Sequence, residues 1–186
     1  LERQFLARAD NPHVVMLTFT ASMENANGGW RCPADHLRDV INSFTDHVRP
    51  ALHRALGSNG ADVDSWEYAR VVEHHGNAYG HMHVPLFIDG EVTEEDLRHC
   101  DPAGASAHDY YSPKEEARPI SVSRVDADLD PEDYDGTDDV IGNVGSYVAE
   151  YIGAYGEDLF DRSIEELAFR AACWATGSDR VDFSNG

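Results

Sequence analysis

Lysine is almost missing from this sequence of 186 residues: Lys114 is the single one, and the other thirteen of its 14 basic residues are arginines. Against them stand 35 acidic residues, for a formal charge of −21. A charge of that sign excludes a domain that holds nucleic acid through a broad basic patch, because phosphate neutralisation normally supplies most of such affinity. Cysteine is also scarce. Cys32, Cys100 and Cys173 lie far apart with no C-x-x-C pair, which excludes a disulfide scaffold and fits reduced thiols in a cytoplasm. No run reaches the 18 or so apolar residues of a membrane helix, and no internal repeat is present. The opening residues are charged and lack a methionine, as expected of a fragment of a longer protein.

What is there suffices for a core. Apolar residues make up 41% of the chain, too many for an acidic disordered tail, and the length suits one domain over residues 1–186. The acid excess then has a physical reading. In molar salt the Debye length is about 3 Å, so self-repulsion is screened and an acidic surface keeps the protein hydrated. Acid excess with lysine scarcity points to a halophile's cytoplasm. DNA binding in that medium would lean on local arginines, hydrogen bonds and metal bridging.

The hydrophobic pattern sketches an α+β domain. His13 to Ser22 is apolar and β-branched, as in a buried strand. Leu37, Val40, Ile41, Phe44, Val48 and Leu52 recur at helical spacing after Pro33, and Pro50 should kink or divide that helix. Trp66–His75 and His81–Ile88 read as two strands around a short connection, hence an antiparallel hairpin. Thr93-Glu-Glu-Asp96 resembles a capping box opening a brief helix, and Pro119–Val125 alternates like a strand. From Val140 to Tyr155 the pattern is helical. Ser163-Ile-Glu-Glu166 caps a last helix that Gly177 can end. This order suits a central antiparallel β-sheet with flanking helices.

Two constellations carry chemistry. His81 and His83, at i and i+2 on a strand, share one face, and the partner strand of the hairpin can bring Glu73 beside them. Two imidazoles and a carboxylate suit Mn²⁺ or Mg²⁺ with positions left for substrate oxygens, or Zn²⁺ by ligand type. Ten histidines make an H-x-H spacing common by chance, and His74 and His75 are further candidate ligands. The second constellation is Tyr147-Val-Ala-Glu-Tyr151, with Tyr155 a turn on. Phenols at i and i+4 reach a common point, although such stripes also serve as packing. Beside a metal a phenolate can attack a phosphate and leave a covalent phosphotyrosine.

In order along the chain, Met16-Leu-Thr-Phe-Thr20, His81-Met-His83 and Tyr147-x-x-x-Tyr151 resemble the three motifs of HUH rolling-circle replication initiators (Rep proteins). Glu73, eight residues before His81, matches the third metal ligand of viral-type members. Trp174-Ala-Thr-Gly-Ser178 and the acidic composition are similar to haloarchaeal plasmid and pleomorphic-virus Reps. The resemblance implies an HUH endonuclease fold of ferredoxin or RRM type and a divalent metal, Mn²⁺ or Mg²⁺, on Glu73, His81 and His83. It implies Tyr147 as nucleophile on single-stranded DNA at a replication origin, with Tyr151 acting in strand transfer and a host helicase as partner. Thr18, Thr20, Arg31 and Arg70 are candidate DNA contacts, with Trp30 and Arg124 beside them. One departure stands out. Glu150 occupies the place where many Reps carry a lysine. The readings left open are a conjugative relaxase or single-strand transposase, a zinc hydrolase using His74, His75, His81 and His83, and a non-catalytic origin-binding module.

The charge yields a test. Removing salt restores self-repulsion among 35 acidic groups, so the melting temperature should climb steeply between about 0.1 M and 3 M KCl. A flat profile would overturn the halophile reading.

Overall fold

The structure is a computed structural model, which describes residues 5, 7–21, 23–25, 27–57, 61–74, 78–97, 100, 120–125, 140–141 and 163–184. Strand β1 (Pro12–Thr20) leads to helix α1 (Pro33–Ser43), a π-helical turn (Phe44–Val48) and helix α2 (Arg49–Ala55). Then come β2 (Val63–His74), β3 (Gly80–Gly90), β4 (Ile120–Val125), β5 (Val140–Ile141), helix α3 (Ile164–Thr176) and β6 (Val181–Phe183). One sheet holds the six strands in the order β5-β4-β1-β3-β2-β6. The fold is α+β, with the strands from β4 to β6 in that order antiparallel. Its inner order, β4-β1-β3-β2, is the ferredoxin-like arrangement expected.

The long helical pattern divides where proline requires it. Pro50 has no N–H, and its ring would strike the carbonyl four residues back, at Asp46. The backbone answers with a wide turn just ahead: Phe44–Val48 is π-helical, and the Arg49 N–H donates to the Phe44 carbonyl five residues back. The path therefore continues and keeps Phe44, Val48 and Leu52 in the core.

Strand alternation separates two faces of the sheet. Val15 and Leu17 of β1, Val72 of β2, and Met82, Val84, Leu86 and Ile88 of β3 turn towards Leu37, Val40, Leu52 and Phe169 of the helices in one buried cluster. Helix α1 packs on both β3 and α3. The start of α3 is fixed by Ser163, whose Oγ accepts from the Glu166 N–H at 3.2 Å, and its end by Gly177 in the left-handed region. His36, fully buried, is tied by Nε2 to the Ala21 carbonyl at 2.9 Å, docking the segment after β1 onto α1. The three cysteines are free thiols, Cys32 exposed and the other two buried.

Three expectations need correction. The Thr93 capping box does form, with Thr93 Oγ1 donating to Asp96 Oδ2 at 2.6 Å, but residues 94–97 form a turn and not an α-helix, the Cys100 N–H donating to the Leu97 carbonyl three residues back. Val140 and Ile141 pair in parallel with Arg124 and Val125 instead of opening a helix, since β-branched residues beside an open strand edge gain ladder hydrogen bonds there. The rest of that expected helix lies outside the described residues. The short strand β6, paired with β2, was not anticipated.

Gly90 ends β3 at φ +136°, donates to the Asn11 carbonyl at 3.0 Å, and lies so close to Asp62 and Val63 that a Cβ would collide with their backbone. Gly90→Ala should therefore cost about 1–3 kcal/mol. Thermal unfolding would read this as roughly 2–4 °C per kcal/mol for a domain of this size.

Candidate metal centre

The face turned away from the helical core carries a cluster of candidate metal ligands. β3 lies between β1 and β2, and the pairing sets Glu73 opposite His81, Val71 opposite His83, Thr18 opposite His83 and Thr20 opposite His81. Directly paired residues share a face, so three neighbouring strands deliver side chains to one patch.

There, one nitrogen or oxygen of each of Glu73, His81 and His83 lies within 4.8 Å of the other two. Glu73 Oε2 is 3.7 Å from His81 Nε2 and 3.8 Å from His83 Nε2. The rings stand edge to face, centroids 4.7 Å apart. Ligand atoms on one divalent ion at about 2.1 Å each sit about 3 Å apart, so the carboxylate has to draw several tenths of an ångström closer to each imidazole to share an ion with them. The donors fit a divalent cation by type, count and convergence. His83 is buried, and its Nδ1 makes a 2.8 Å hydrogen bond with Thr18 Oγ1.

Burial pushes the Glu73 carboxyl above its usual range, and the charges of Arg180 and His74 take back part of that shift. A half-buried carboxylate beside two imidazoles is a place where a cation relieves a desolvation penalty.

His74 does not join this group. One residue on from Glu73, it points to the opposite face, where its ring packs against Phe169 at 5.4 Å. An arrangement of four histidines around zinc is thereby ruled out for His74, which cannot replace Glu73 as ligand either. His75 lies outside the described residues.

Arg31 forms an ion pair with Asp39, and Arg70 with Asp182 at 3.2 Å, both guanidinium groups being largely buried. Arg70 points to the helix-side face of β2. Trp30, 70% exposed, tilts against Tyr79 at 6.5 Å. Tyr79 in turn donates to the Arg31 carbonyl at 2.8 Å, close to where β3 begins. Thr20 is placed by its backbone pairing alone, as is Arg124. Tyr147, Tyr151 and Tyr155, with Glu150, lie outside the described residues. The bond from Thr18 to His83 is what sequence reasoning missed. Its signal was the cross-strand register, which the sequence does not print.

A family model described as "Putative rep protein (DUF1424)" matches residues 1–186. The chain belongs to this Rep family. Among its relatives is a protein of Halobacterium salinarum with the printed name "Uncharacterized 36 kDa protein", 31% identical over 183 residues. A protein of the same printed name from Halobacterium sp. (strain GN101) is 32% identical over 190 residues. Each alignment covers 94% of this chain and 54% of the relative, so the chain spans about half the length of the curated relatives it matches. No solved structure matches it significantly. The halobacterial relatives suit the acidic composition. Among the described residues of this Rep-family chain, no helix is long and apolar enough to cross a membrane.

The geometry predicts a metal-dependent stability with a definite sign in pH. A carboxyl whose pKa is raised by folding favours the folded state when protonated, and that favour is lost as pH rises through the folded value. A bound cation needs the carboxylate and neutral imidazoles, so its benefit grows as pH rises. At about 100 times its dissociation constant, Mn²⁺ should add about 2.7 kcal/mol, or roughly 5–10 °C in melting temperature. The increment should be larger at pH 7.5 than at pH 5, and Glu73→Gln should remove most of it. Equal increments at both pH values would contradict the assignment.

Proposed function

We propose that this domain is the nicking and strand-transfer part of a rolling-circle replication initiator, acting on single-stranded DNA at a replication origin. The observation that carries the reading is the convergence of Glu73, His81 and His83 on the face of a central antiparallel sheet turned away from the helical core, in a chain of the Rep family.

A divalent cation, Mn²⁺ or Mg²⁺, supplies Lewis-acid polarisation of a scissile phosphate when bound there. Glu73, His81 and His83 would hold it through one carboxylate and two imidazole donors. Tyr147 is the nucleophile. Its phenol, with an ordinary pKa of about 10, gives its proton to a base as its oxygen attacks phosphorus in line. The P–O3′ bond breaks, the electron pair stays on O3′, and that oxygen takes up a proton as a free 3′-hydroxyl. The 5′-phosphate remains esterified to the tyrosine, so the phosphodiester free energy is conserved and the step reverses without ATP. Tyr151, one helical turn further by sequence periodicity, repeats the attack on the regenerated origin and releases the circle. Exposed Trp30 offers a stacking surface for an unpaired base. Arg31 would reach a phosphate only by exchanging Asp39 for it, and Arg70, paired with Asp182 on the helix-side face of β2, stands away from the cluster.

Incubation with a labelled origin oligonucleotide and Mn²⁺, resolved on a denaturing protein gel, tests the proposal. The wild-type chain should carry label covalently, and EDTA, His81→Ala or His83→Ala should abolish the adduct, since each removes the ion or one of its ligands. Tyr147→Phe removes only the hydroxyl and should lose most of the adduct, whereas Tyr151→Phe should still nick but fail to close circles. Full adduct in the double Tyr147→Phe, Tyr151→Phe variant would overturn the assignment of both tyrosines. No adduct from wild type, with the metal-induced stabilisation intact, would leave an origin-binding module instead.

A further inference from the structure

We infer that Thr18 is a positioning residue for the metal centre: its hydroxyl fixes the ring orientation and tautomer of His83, so that Nε2 is offered to the cation. The inference rests on the metal centre proposed above and deepens it.

His83 has two ring nitrogens with different surroundings. Nε2 faces Glu73 Oε2 at 3.8 Å, among the converging ligand atoms. Nδ1 faces away from them, 2.8 Å from Thr18 Oγ1. A neutral imidazole carries one proton, and the nitrogen that binds a cation must be the one without it. Ligation through Nε2 therefore requires the proton on Nδ1, where it donates to the Thr18 oxygen. A threonine hydroxyl accepts that bond without adding a charge to a site already provided with a carboxylate. The ring is buried, so an Nδ1–H without an acceptor there would lose water without replacement.

The backbone makes this contact a fixed one. Thr18 and His83 are directly paired residues of β1 and β3, and both strands sit inside the sheet, between β4 on one side and β2 on the other. A β-branched side chain on a strand has few χ1 choices, so Oγ1 is held in place by the ladder itself. The same strand carries Val15 and Leu17 into the helical core, which locks its register and hence which residue meets His83.

Thr18→Val is nearly the same shape, keeps the β-branch and removes only the acceptor. Thr18→Ser keeps the hydroxyl and loses a methyl. Mn²⁺ titration calorimetry at pH 7.5, with melting temperatures in EDTA as the fold control, separates the roles. Thr18→Val should bind Mn²⁺ about 10–100-fold more weakly than wild type. Its melting temperature in EDTA should match wild type within a few degrees, and Thr18→Ser should recover most of the affinity. In a His83→Ala background, Thr18→Val should change Mn²⁺ affinity no further. Wild-type affinity in Thr18→Val overturns this inference while leaving the metal centre standing. Equal loss in the Ser and Val variants also overturns it, since the hydroxyl would then not be what matters. Absence of Mn²⁺ binding in the wild-type chain overturns the metal centre and this inference together.

Discussion

Everything at this site depends on where β3 lies and in which register. It is flanked by β1 and β2, and its odd and even residues have opposite duties. Met82, Val84, Leu86 and Ile88 are packed under the helices, while His81 and His83 face the other way. A slip of one residue would exchange the two sets, sending the imidazoles under the helices and the aliphatic chains to the face that carries Glu73. Such a slip would bury the imidazoles without their polar partners and undo the packing of four aliphatic side chains, so the native register is strongly favoured. The helical core thus enforces the geometry of a site on the opposite face of the sheet.

That division also explains which histidines take part. His74 adjoins Glu73 in sequence but packs against Phe169, and His36 is consumed in holding the segment after β1 to α1. Chemical type alone does not mark a ligand; face and register do. Glu73 differs from its neighbour by a single step along β2, and that step decides between a carboxylate over the site and a ring in the core.

Much of this was legible in the sequence. The hairpin, the i, i+2 histidine pair, the carboxylate on the adjoining strand, the interruption at Pro50 and the cap at Ser163 each follow from local rules acting within a few residues. What escaped came from contacts between distant segments. β6 pairs with β2 across more than a hundred residues, and three residues are too few for alternation to show. Val140 and Ile141 fit a helical pattern as well as a strand, and the open edge of β4 decides. The meeting of Thr18 with His83 spans 65 positions and is fixed only by the register of β1 on β3. The two arginines chosen for DNA are engaged by Asp39 and Asp182, partners that no spacing rule singles out.

The acid composition and the proposed DNA substrate look opposed only at low ionic strength. Where the Debye length is about 3 Å, a carboxylate two or three residues away from a phosphate is screened almost completely. The counterion release that rewards a basic patch in dilute buffer also shrinks as the bulk salt concentration rises. Net charge then says little about affinity, and atoms in direct contact decide it. In the proposed role these contacts are the cluster of two imidazoles and one carboxylate on the sheet face away from the helices and, elsewhere on the surface, the exposed indole of Trp30. Their attraction acts over ångströms rather than nanometres. A domain built this way can carry a charge of −21 and still present a substrate site that is locally cationic once its ion is bound.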